Sequence, residues 1–170
     1  MKIDMLKRML RDKKYLDEAI RYYTGKNLLR KAPADNGEIK GHILKSERNL
    51  EFVKDNQKLG YYDWAITGCY YALYHISLAL LILKGYKTKN HDATLVMLIK
   101  EYYSDGLTGD DIALLNKTFL NYHDLLFYIR AKGKREEASY STRYSYGQET
   151  VENLRRETIN YVNKAKEILG

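Results

Sequence analysis

Twenty consecutive residues, Trp64 to Leu83 (WAITGCYYALYHISLALLIL), contain no Asp, Glu, Lys or Arg, although charged residues make up 30% of the chain. A run of this kind has two ways to satisfy its surface. It crosses a bilayer core of about 30 Å, or it forms the central helix of a helical domain whose other helices wrap it. Its content favours the second. Tyr70, Tyr71, Tyr74 and His75 fall at the middle of the run, where a span would place them at bilayer depth. Tyrosine favours the interfaces, and an ionisable ring at mid-depth is costly. The expectation is a buried helix and no membrane partner.

The rest of the chain supplies the wrapping. Ile3, Leu6, Leu10, Leu16, Ile20 and Tyr23 recur at helical spacing, so residues 2–32 read as helix with a break near Gly25. The only proline, Pro33, and Asn36–Gly37 mark the clearest linker. A helix from Glu38 to Lys58 follows, then the helix that holds the uncharged run, from Tyr61 to Lys84, then one from His91 to Tyr103 with Asn90 as its N-cap. Two more amphipathic helices are read over residues 110–131 and 149–169, separated by a polar stretch. No alternating β pattern of useful length appears. Helices of this length joined by short loops pack as antiparallel neighbours. The fold class expected is all-α: an up-and-down four-helix bundle over residues 36–170, preceded by a helical extension over 1–35.

Charge separates the same two parts. The chain carries a formal net charge of +7, and residues 1–34 hold ten Lys or Arg against four Asp or Glu. An anionic partner, RNA or a membrane surface, would meet that segment first, although a lysine-rich helix also serves simply as a solvated face. One cysteine excludes an intrachain disulfide, and MKIDMLKRML lacks the apolar core of a signal peptide. A cytoplasmic location is expected. No phosphate-cradling glycine loop, nucleophile elbow or zinc-binding cysteine pattern is present, and no cofactor is expected.

Several short elements then fall in a recognisable order: Tyr70–Tyr71–Ala72, Tyr74–His75, the apolar run from Leu78 to Gly85, His91 opening the next helix, and REEASY from Arg135 to Tyr140. This order resembles the HEPN family, "higher eukaryotes and prokaryotes nucleotide-binding" domains. REEASY is similar to the Arg-x-x-Ala-Asp-Tyr element of a small prokaryotic branch. The resemblance covers roughly residues 45–168. It implies a helical bundle, commonly a homodimer, that binds RNA or a nucleotide or pairs with a small nucleotidyltransferase in a toxin–antitoxin-like module. Other members are metal-independent ribonucleases with an Arg-x4–6-His motif.

Departures from that pattern are specific. No arginine precedes any histidine at the ribonuclease spacing. The nearest arrangement is reversed, with His123 first and Arg130 seven residues later, and Ser139 stands where the small branch has Asp. The binding candidates are Arg135, Glu136, Ser139, Tyr140 and Arg143, whose arginines interleave with tyrosines as RNA-contacting or protein-contacting segments do, together with Tyr71, His75 and His91. His75 also suits a hydrogen-bonded core histidine, and His91 a simple helix-start residue. A ribonuclease with a displaced site at His123 and Arg130 is the alternative, and a purely structural helical dimer the next. The doublets His91–Asp92 and His123–Asp124 are reminiscent of metal-dependent phosphohydrolases, but no other metal-binding spacing supports a metal site.

Overall fold

In the computed structural model, residues 1–133 and 147–170 are described, with the backbone alone for Asn121 and for residues 123–133. The elements run α1 (Ile3–Met9), α2 (Lys13–Gly25), β1 (Leu29–Lys31), α3 (Asn36–Lys58), α4 (Tyr62–Leu83), β2 (Tyr86–Thr88), α5 (His91–Tyr102), α6 (Gly109–Gly133) and α7 (Gln148–Leu169). The expected all-α bundle is the architecture found. Four long helices, α3, α4, α6 and α7, carry it, and α5 and the N-terminal helices complete the core.

Side-chain caps set several starts. Asp12 accepts from the Tyr15 amide at 3.0 Å, Asp35 from Glu38 at 3.0 Å, and Asn90 from Ala93 at 2.8 Å. Each satisfies an amide that has no partner within its own helix. The cap at Asp12 divides the first expected helix earlier than Gly25 does: α1 ends at Met9 and α2 begins at Lys13.

The uncharged run is the hub. By length and composition α4 is apolar enough to cross a membrane, yet α3, α5, α6 and α7 all pack on it. Leu73, Ile76, Leu80 and Leu81 are fully buried. Several hydroxyls inside this core are paired: the Tyr102 hydroxyl donates to the Leu80 carbonyl at 2.7 Å, and the Ser77 and Tyr161 hydroxyls lie 3.1 Å apart. A second small cluster gathers Val53, Ala65, Ile66, Cys69 and Val151 from α3, α4 and α7.

Two three-residue strands were not anticipated. β1 and β2 pair antiparallel, Leu29 opposite Thr88, Arg30 opposite Lys87 and Lys31 opposite Tyr86. The bonds Ala32 N–H to Gly85 O and Lys89 N–H to Leu28 O, both 2.9 Å, lengthen this ribbon at each end. Gly85 makes the turn from α4 into β2 at φ +78°, a region that L side chains rarely adopt, with the Ala32 carbonyl 3.1 Å from where a Cβ would stand. Through β1 and the buried Leu6, Met9, Leu16 and Leu29, residues 1–35 share the main core with α4 and α5.

Candidate functional site

α3 and α4 run antiparallel along a seam that passes from apolar to polar and back. Near the connecting turn, Gly68 leaves room for Val53; a Cβ at Gly68 would lie 2.6 Å from Val53 Cγ2. One step along, the fully buried Ser46 hydroxyl donates to the Ala72 carbonyl at 2.9 Å. Next, His42 and His75 face one another, their Nδ1 atoms 3.0 Å apart. Beyond them the seam closes on Ile39, Ala79 and Ile82.

One Nδ1 of the pair must donate and the other accept, so the accepting ring is neutral with its proton on Nε2. Burial pushes the His75 pKa down to about 4, with repulsion from His42 and Lys45 acting the same way. Burial is also the main cause of the lowered His42 pKa; Glu38 opposes it, and Lys45 and Lys87 add to it. At neutral pH this half-buried pair carries no charge.

An aromatic cluster adjoins it. The Tyr71 ring lies 6.3 Å from His75, and its hydroxyl is 2.8 Å from that of Tyr122 on α6. Tyr70 stacks almost parallel on Tyr122, 3.5 Å between centroids. The Tyr70 hydroxyl is 2.6 Å from His91 Nε2, and the Tyr74 ring meets His91 edge-on at 5.1 Å. Phe119 closes the floor, 4.7 Å from His91. Burial, first among the causes, raises the pKa of Tyr70 and of Tyr74, so both hydroxyls stay protonated. Tyr71 is the exposed edge of the cluster at 36%. The arrangement offers a neutral aromatic face with hydroxyl and imidazole groups, chemistry that stacks on and hydrogen-bonds to a base.

Three expected residues, Tyr71, His75 and His91, thus come together on α4 and α5. The fourth participant, His42, was missed. It lies three residues after the buried Ile39, on the α4-facing side of α3, and a polar residue on that side is the signal that pointed to it. His123 and Arg130 lie on α6, where the backbone alone is described. Arg135, Glu136, Ser139, Tyr140 and Arg143 lie outside the described residues. The His91–Asp92 doublet splits: His91 turns to Tyr70, while Asp92 ion-pairs with the Met1 amino group at 3.2 Å and accepts from the Tyr23 hydroxyl at 3.5 Å. Among the described residues, no group of three or more His, Cys, Asp or Glu is placed to hold a metal.

Comparison with known proteins identifies the family. The HEPN domain description matches residues 39–169. A "UPF0332 protein" of Archaeoglobus fulgidus is 26% identical over 129 residues, 76% of this chain and 93% of that protein. A Methanocaldococcus jannaschii protein whose name reads "Putative toxin" is 30% identical over 105 residues, 61% of this chain and 71% of its own length. The residues of the seam and of the aromatic cluster all fall within the matched span, and the chain belongs to the HEPN family.

Proposed function

We propose that this protein is the HEPN component of a toxin–antitoxin-like module and that it binds RNA or a nucleotide. The face it uses is formed by Tyr71, His75 and His42, with the buried Tyr122 behind Tyr71. The observation that carries this reading is the exposed Tyr71 edge, fixed by its hydroxyl contact with Tyr122 beside an uncharged histidine pair. An aromatic ring held in place by a second-helix partner is a ready stacking platform, since little rotamer freedom is lost on binding. The relative named as a toxin supports the module. A small nucleotidyltransferase is the protein partner in this reading.

The test is fluorescence anisotropy of a labelled single-stranded RNA with wild-type protein and with Tyr71→Ala. Loss of one base–aromatic stack, about 1–3 kcal/mol, weakens binding by about fivefold or more. Equal affinity of the two proteins, or no RNA or nucleotide binding by the wild type, rejects the reading.

A further inference from the structure

Among the described residues the Tyr71 face is made mainly of uncharged rings, with Lys45 the nearby cation that acts on both histidines, whereas any RNA brought to it carries a phosphate at every residue. The two longest stretches of the chain without an acidic residue are 19–34 and 64–91. The fold joins them in the β1–β2 ribbon. With a side-chain period of two, Arg30 and Lys87, directly opposite one another, share a face of the ribbon with Lys89 just past β2. Lys26, Lys31 and Lys84 flank it, all exposed. Like charges placed directly opposite destabilise a strand pair. Here only Lys87 is moored, by Glu38 at 2.5 Å; among the described residues Arg30, Lys31 and Lys89 form no ion pair.

The mooring connects the two regions. Glu38 lies one helical turn before His42 on α3, so the ribbon abuts the histidine pair. Tyr22, 58% exposed and one turn before Lys26, adds a ring to the basic surface. Unpaired cations next to exposed rings are the combination that tracks single-stranded nucleic acid.

We infer that one face of the β1–β2 ribbon is a docking surface for the phosphate backbone of single-stranded RNA, held by Arg30 and Lys89, which leads the strand past Glu38 to the Tyr71–His75 face. This rests on the RNA reading above and adds to it a site for the backbone.

The experiment is a salt titration of RNA binding by the full chain, using a labelled single-stranded oligonucleotide. The proteins are wild type, Tyr71→Ala, and the double variant Arg30→Gln, Lys89→Gln, all checked for unchanged helicity by circular dichroism. With about 0.7 counterions released per neutralised phosphate of a single strand, the double variant should lose about 1.4 from the slope of log affinity against log salt. Tyr71→Ala should weaken binding at unchanged slope. Wild-type binding with the double variant unaltered in slope and affinity overturns the ribbon site and leaves the Tyr71 face standing. Wild-type protein that binds no RNA overturns both. Protein that instead sediments with phosphatidylserine vesicles assigns the ribbon to a membrane surface and overturns the inference.

Discussion

One helix pair holds two opposite kinds of contact within a few turns. At Gly68 the seam between α3 and α4 is dry and so close that no side chain fits. At His42–His75 it is half-open and polar, and the helices meet through a single hydrogen bond between rings. Close apolar approach gives stability and a fixed register, because interiors pack to crystal-like density. The polar stretch contributes less stability and presents chemistry at the surface. The first holds the second in position.

Three substitutions test that division. The largest effect is expected at Gly68→Val, where the added methyl groups have no space against Val53, Phe52 and the Asn49 carbonyl. Overpacking there should cost about 3 kcal/mol in urea unfolding, and a neutral result would show the seam to be compliant. Ser46→Ala removes one buried hydroxyl bond between the two regimes and should cost about 1 kcal/mol.

The effect at the histidine pair, which solvent shares and so weakens, is absent at neutral pH and appears only with acid. His75 titrates near 6.5 when unfolded and near about 4 in the fold. Between those values the unfolded chain binds more protons, so stability falls as pH drops through the window, and the whole penalty is present below the folded value. His75→Gln should flatten this part of the urea-midpoint profile relative to wild type. An identical profile would place the acid sensitivity elsewhere.

The apolar regime was legible in the chain, and the polar one only in part. An uncharged run of twenty residues announces its own burial, and Asn90 before His91 announces a cap, because both depend on local pattern. Tyr71 and His75 stood out as polar rings within the uncharged run, and His91 as the residue that opens the next helix. His42 did not, since its role exists only once α3 lies against α4. The ribbon was hidden for a different reason. Three-residue strands are too short to show a period of two, and β1 pairs with a strand more than fifty residues away. The division of the first helix at Asp12 was local and readable: an Asp three residues before the bonded Tyr15 amide is an ordinary cap.

The single thiol has a practical consequence. Cys69 is fully buried beside Gly68, among residues drawn from α3, α4 and α7, and burial pushes its pKa up to about 11. A thiol-reactive reagent therefore meets almost no thiolate and no open path while the helices are together. The chain thus carries an intrinsic clock for its own breathing. The rate at which Cys69 takes up label counts how often the bundle opens next to the seam, with no reporter group added.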